Sequence, residues 1–365
     1  MEFKKQGLVK RFKDFISSIN KKDKVAVLHH TDPDGVCSGV IISKLIEKTR
    51  NKKIDLRINQ KGNIHNITKE TFDKLKKNKI NIIIITDLSA DEHLKDIKKL
   101  LKFAKVLIID HHPVYNNIKL KNIVMIKSSL VSDIPSAKYC AAKLCYDLGN
   151  LVADLSDLDW IAAVGSIGDI ATEPFKSWLN KVFKKYKISM KKDLFKTKLG
   201  KVAVIFSSAE AVSHKNVGLC FKILYRAKNY SEVLNSSIKK FQKKIDDELK
   251  YYIKNLNSLA FVYPKINLIF YDVNSKNNIK SQLCTLLGIK YPNKTIICVS
   301  FEKDLASVSA RRGDSNVSVN KLLQSAVKGF CNANAGGHIP AAGACFPKKY
   351  YKKFKKRVIN LLKKE

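Results

Sequence analysis

KVLIIDHHP, residues 105–113, is an apolar run that climbs to an aspartate, two histidines and a proline. Pro113 has no N–H to give a sheet ladder, so the strand stops at its charged end. Two readings compete: a strand that has reached the surface and turns, or a metal site at the carboxyl end of a strand. The rest of the chain decides between them.

KVAVLH (24–29), KIDLRI (53–58) and INIIIIT (80–86) are also short, β-branched and bounded by polar turns. Amphipathic stretches at 36–49, 67–77 and 91–102 lie between the runs. Continuous apolar strands separated by helices predict a doubly wound, mainly parallel α/β sheet covered on both faces. In such sheets ligands bind outside the carboxyl ends of the strands. The strand at 24–29 runs into HHTDPDGVCSG, which supplies His29, His30, Asp32 and Asp34, then Gly35 for a tight turn before a helix. The strand at 80–86 delivers Asp87, and the one at 105–110 ends in Asp110, His111 and His112. The apolar segment WIAAVGSIGDIA (160–171) sets Asp169 beside small residues. A parallel sheet gathers the three strand-end sets on one edge.

Several carboxylates at one edge repel one another unless a cation sits among them. Asp oxygens mixed with His nitrogens suit Mn²⁺ or a similar ion better than Ca²⁺. Four carboxylates and two or three imidazoles fit two divalent ions better than one, with Mn²⁺ favoured and Mg²⁺ the alternative. Two such ions about 4 Å apart form a clamp for in-line attack on phosphorus.

The bulk composition agrees. The 365 residues suffice for two domains, and 45% are apolar, enough for a real core. Lys and Arg number 69 against 32 Asp and Glu, a formal charge of +37 that favours a polyanionic partner, nucleic acid by default. The excess of Lys over Arg, with abundant Ile and Asn, also reads as a compositional bias that makes part of this charge ordinary surface. The eight Cys form no C-x-x-C pair and read as thiols of a reducing cytoplasm, not as disulfides or a zinc site. MEFKKQGLVKRF lacks the apolar stretch of a signal peptide, and no run reaches the roughly 20 apolar residues of a membrane span. A cytoplasmic protein without membrane contact is expected.

HTDPDG (30–35), TDLS (86–89), DHH (110–112) and GSIGD (165–169) resemble, in order, the four motifs of the DHH phosphoesterase superfamily. GGHIPAAG (336–343) resembles the GGH signature of the DHH-associated second domain of RecJ-type nucleases and oligoribonucleases. The resemblance implies a catalytic domain at 1–175, a basic helical connector at 176–258 and a smaller α/β domain at 259–365, with the active site in the cleft between domains. It implies one metal held by Asp34, Asp87, His111 and Asp169, and a second held by His30, Asp32 and Asp87, with Asp87 bridging. It does not choose between His29 and His30. Asp110 then orients a histidine and His112 contacts the scissile phosphate. Cys37 reads as helix packing, and His65, His93 and His214 as surface or capping groups.

In the second domain, Gly336 and Gly337 let backbone N–H groups approach a phosphate, and His338 adds a donor. Arg311 and Arg312 follow the strand LASVSA, and alternation puts them on opposite faces. The resemblance favours Arg311 as a phosphate clamp. Segment 181–201 carries nine Lys and one Asp. Leu234, Ile238, Phe241, Ile245, Leu249 and Ile253 recur at helical spacing, predicting one long connecting helix, and 348–364 reads as a basic amphipathic helix. The compact chain looks like the archaeal RecJ-like exonucleases acting on single-stranded DNA or RNA, with a repair or replication partner as a family-level expectation. An enzyme confined to very short oligonucleotides or cyclic dinucleotides is the alternative. A non-catalytic replication scaffold of the same fold, which keeps the fold without the ligands, is a further one.

Overall fold

Isoleucine runs without polar alternation leave no side of a strand for water, and the first sheet shows why. In a computed structural model describing residues 3–60 and 67–364, β1 (Val25–His29), β2 (Leu56–Asn59), β3 (Ile82–Thr86), β4 (Lys105–Asp110) and β5 (Ile123–Lys127) form a parallel sheet in the order β2-β1-β3-β4-β5. Ala26, Leu28, Ile83, Ile85, Val106 and Ile108 face one core with Leu75, Ile97 and Leu100 from the helices Lys69–Lys77 and Leu94–Leu100. The opposite face is covered by the helices Pro33–Arg50 and Ala141–Gly149, and Asp159–Gly168 packs on these two.

The strand order reverses at β1, because the chain goes to β2 on one side and to β3 on the other. That is the topological switch point where such sheets bind ligands. His29 pairs with Thr86, and Thr86 with Ile109, so the ends of β1, β3 and β4 lie level. The convergence expected from the sequence is therefore present in the register itself.

Element bounds shift in places. The helix after β1 starts at Pro33, with Asp32 as N-cap accepting from Gly35 N at 2.8 Å, so Gly35 lies in the first helical turn and not in a loop before it. The segment around 160–171 is the helix Asp159–Gly168, and Asp169 is its C-cap. The periodic face over 234–253 is not one helix. Leu234 ends the short helix Tyr230–Leu234, and the long one runs Lys239–Lys254.

The chain divides into two compact units, residues 1–240 and 241–365. The helices Lys176–Lys185, Lys198–Val212 and Asn216–Arg226, expected as part of a connector, thus pack within the first unit. Their buried Leu179, Phe183, Val202, Phe206 and Phe221 explain this, since a solvated linker does not carry such a stripe.

The second unit holds a six-stranded sheet of β6 (Ala260–Tyr263), β7 (Leu268–Asp272), β8 (Thr295–Glu302), β9 (Leu305–Arg311), β10 (Asn334–Gly337) and β11 (Ala341–Pro347), in the order β10-β11-β9-β8-β7-β6. Only β7 and β8 pair parallel. The helices Val319–Val327 and Tyr351–Leu362 close one face over Phe270, Val308 and Phe346, and Lys280–Lys290 packs on β8 and β9.

Candidate metal centre

Each charged side chain at the strand ends is aimed by a local device. Asp87 has φ +57°, a left-handed conformation Asp tolerates better than most residues, and this turns the chain off β3 at once. Asp34 lies in the first turn of Pro33–Arg50, where its oxygens accept from Ala141 N and Ala142 N at 2.8 Å each. A helix N-terminus thus holds that carboxylate in place. Gly165 permits the approach, because a Cβ there would meet Ala142 Cβ at 2.5 Å and Asp34 Oδ1 at 3.0 Å. Gly35 has the same function for His30, whose Cβ and carbonyl lie within 2.6 Å of where its own Cβ would stand.

Asp169 is placed by a C-terminal cap in which Ala171 N bonds Ser166 O and Ile170 N bonds Ile167 O. Such caps put glycine at the left-handed position. Here it is Ile170, at φ +54° and half exposed. Replacing it with glycine, I170G, relieves about 1 kcal/mol of backbone strain. The expected outcome is a melting temperature raised by about 2 °C with the fold unchanged by circular dichroism.

The strand-end groups assemble into three overlapping sets. His30, Asp32 and Asp87 form one, Asp34, His111 and Asp169 another, and Asp87, His111 and His112 a third; within each, the ligating atoms lie within 4.8 Å of one another. His30 Nδ1 is 3.0 Å from Asp32 Oδ2 and 3.6 Å from Asp87 Oδ2. His111 Nε2 is 3.3 Å from Asp87 Oδ1, while its Nδ1 donates to Ser136 O at 3.1 Å.

His29 is in none of these sets. It is fully buried, donates Nδ1–H to His30 O at 2.6 Å, accepts from Arg57 at Nε2 and stacks on Phe221. Burial, then the charge of Arg57, push its imidazole down to about 3, so it stays neutral. Of the two neighbouring histidines, it is His30 that faces the carboxylates.

The electrostatics ask for a cation. Burial and the charges of Asp34 and Asp32 hold the Asp87 carboxyl well above the usual range. Burial also raises Asp34, and it lifts Asp169 to about 7 against the pull of His111. Burial opposes charging of His30, but Asp32, Asp87 and Glu210 outweigh it and lift the ring to about 10. Asp169 Oδ2 is buried without a hydrogen bond, and His30 Nδ1 is turned toward the carboxylates of Asp32 and Asp87. Carboxylates crowded this way, with ligand-type atoms left over, fit divalent ions bound by oxygen and imidazole nitrogen.

The remaining residues of the DHH turn form a support. His112 donates Nδ1–H to Asp110 Oδ1 at 2.8 Å, which leaves Nε2 for a ligand. Lys127, at the end of β5 and fully buried, sits 2.8 Å from Asp110 Oδ2 and 2.6 Å from Asp91 Oδ1, and donates to Pro113 O at 2.7 Å. Asp91 in turn accepts from Tyr115 N and Asn116 N. The sequence reading missed Lys127 and Asp91, and also Glu210, which accepts from Thr31. The only signal was the run IVMIK, whose last residue reads as an exposed strand end.

In the second unit, Gly337 has φ +136° at the β10–β11 hairpin, where a Cβ would meet Ala341 O at 2.5 Å. Gly336 faces open space. The His338 N–H is used within the hairpin, bonded to Ala341 O at 2.8 Å. Arg311 lies along Lys280–Lys290 and donates to Thr285 Oγ1, whereas Arg312 is buried on Asp314. Cys37 is buried, His93 and His214 lie outside the three sets, and His65 is outside the described residues.

Residues 24–163 match the N-terminal domain of the DHH family, and residues 265–364 match the DHHA1 domain. The chain thus carries a DHH domain followed by a DHHA1 domain. A relative in Methanocaldococcus jannaschii, itself uncharacterised, is 25% identical over 265 residues, which is 70% of this chain and 57% of the relative. The match thus spans a little over half of that protein's length. Among solved structures, the DHH domain of a protein described as a member of a ribosomal protein family aligns with a TM-score of 0.74 at 16% identity, covering 98% of this chain and 89% of that one. An exonuclease RecJ bound to manganese aligns with a TM-score of 0.67 at 16% identity, covering 100% and 96%. At such identities the likeness is one of fold. Among the described residues, no helix is long and apolar enough to cross a membrane.

Proposed function

We propose that this chain is a DHH-family phosphodiesterase that hydrolyses single-stranded nucleic acid from an end, with two divalent cations, Mn²⁺ favoured. The observation that supports the reading is the pair of carboxylate–imidazole sets at the switch point, His30/Asp32/Asp87 and Asp34/His111/Asp169, linked by the contact of Asp87 with His111. When bound, the cations supply Lewis acidity toward the phosphoryl oxygens. The chain's own residues do the rest. Asp110 fixes the His112 ring so that Nε2 faces the substrate side and contacts the scissile phosphate. Arg311, Gly336, Gly337 and His338 hold a phosphate of the strand, Arg311 through its planar fork.

The test is Mn²⁺-dependent hydrolysis of a labelled 2-mer and 30-mer, as DNA and as RNA, by wild type and by Asp34→Ala. Stepwise shortening of the 30-mer, absent in the variant, is the expected result. Cleavage confined to the 2-mer replaces the exonuclease with an enzyme of very short oligonucleotides. Binding without hydrolysis in either form leaves a scaffold.

A further inference from the structure

The helix Tyr351–Leu362 buries Phe354, Val358 and Leu362 at steps of four, which turns Lys352, Lys356 and Asn360 outward along another row. Beside that row runs β6, the edge strand of its sheet, with Phe261 48% exposed. Between them is a groove of about 430 Å³ lined by Phe261, Asp272, Tyr351 and the lysines 352, 355 and 356. That volume is in the range of small-molecule sites.

The walls are fixed in advance. Tyr351 Oη lies 2.5 Å from each oxygen of Asp272, and its ring meets Phe301 edge-on at 5.0 Å. Lys355 Nζ is 3.0 Å from the Phe261 ring centroid and 4.9 Å from that of Phe270, so an ammonium is already held over the aromatic surface. One carboxylate, engaged by a phenol, faces three lysines. A second depression of about 330 Å³, lined by Lys328, Arg357, Asn360 and Lys364 among others, shares Asn360 and carries the positive surface along the helix. From Lys352 to Leu362 the helix rises about 15 Å, and Lys364 lies just past its end.

We propose that this groove is a nucleotide-binding site for single-stranded nucleic acid, separate from the metal centre and from the Gly336–His338 hairpin. The chemistry selects the occupant. An acidic peptide would use the lysines alone, whereas a nucleotide supplies phosphates for the ammonium groups and a flat base for the part of the Phe261 ring that Lys355 leaves exposed. The adjoining depression extends the contact to further phosphates of the same strand. The inference rests on the reading that the chain acts on nucleic acid, and deepens it by adding a strand grip on the second unit.

The experiment is fluorescence anisotropy of a labelled 12-mer with the full chain in EDTA, where metal-dependent cleavage is off. Lys352→Glu/Lys356→Glu is expected to weaken binding at least tenfold and to flatten the salt dependence by about 1.4 in log–log slope, the loss of two phosphate contacts on a single strand. Phe261→Ala is expected to weaken it several-fold with the salt slope unchanged. Lys76→Glu/Lys77→Glu makes the same charge change on the first unit and serves as control. Binding within twofold of wild type in both groove variants overturns the proposal, and so does an equal loss in the control pair, which assigns the effect to bulk charge. Thermal melts confirm that each variant is folded. Dinucleotide hydrolysis by wild type with Mn²⁺ is measured separately, so a failed hydrolase reading is distinguished from a failed groove.

Discussion

Asp87→Asn should abolish hydrolysis, lowering the rate by at least about 10³-fold, and should not weaken the metal-free protein. The two effects have one cause. Asp87 is buried, stands between His30 and His111, and belongs to two of the three sets. Losing it removes several kcal/mol of charge stabilisation at the phosphoryl group, and each 1.36 kcal/mol is a factor of ten. Without metal, the same carboxylate is pressed by burial and by Asp34 and Asp32. The amide keeps the shape and drops the repulsion. Thermal melts with and without Mn²⁺ check this. Wild type should gain about 2.7 kcal/mol at Mn²⁺ one hundred times its dissociation constant. The variant should start at or above the metal-free wild type and gain little. A variant that melts far below wild type in EDTA would show that Asp87 is structural.

The parts of this site legible in the sequence are those governed by topology. A parallel sheet must present its loops at the carboxyl ends of its strands, so Asp87 and the Asp110–His112 run could be placed on one edge from strand pattern alone. The order and spacing of HTDPDG, TDLS, DHH and GSIGD then narrowed the chemistry. What stayed hidden depends on side-chain direction. His29 and His30 are neighbours with the same chemistry, and only the pleat decides that His29 enters the core beside Phe221 while His30 meets the carboxylates. Asp169 comes to lie beside His111 not from a strand end but from a helix cap, with an isoleucine where glycine is usual. The segment after 174 misled because its lysines mask the buried stripe of Leu179, Val182 and Phe183.

Lys127→Met should destabilise the first unit as strongly as the loss of a large core side chain, and it should not be rescued by arginine. A lysine at the end of a strand reads as a solvated terminus, yet this one is fully buried between Asp91 and Asp110. It holds two buried carboxylates at once and ties the carbonyl of Pro113 to them. Burial opposes its charge, but Asp110 and then Asp91 outweigh it and raise its pKa, so the ammonium persists in the folded state. Removing one partner of a buried ion pair costs about 3–5 kcal/mol, because the charge left behind has neither water nor counter-ion. Methionine matches the length of the stem and isolates that electrostatic part from packing. Denaturant unfolding should therefore show the midpoint moving with the slope unchanged. The double variant Lys127→Met/Asp91→Asn should recover part of the loss, since one of the two stranded carboxylates is then neutral. Arginine brings a wider planar fork into a site shaped for one compact ammonium. The effect on catalysis passes through Asp110, whose carboxyl is held well below the usual range by His112 and then Lys127 despite its burial. Without Lys127, the carboxylate that fixes the His112 tautomer shifts or takes up a proton. The rate should then fall through turnover, with Mn²⁺ binding largely retained, because neither Asp110 nor Lys127 belongs to the ligand sets. An equal loss of Mn²⁺ affinity would instead place Lys127 in support of the metal centre as a whole.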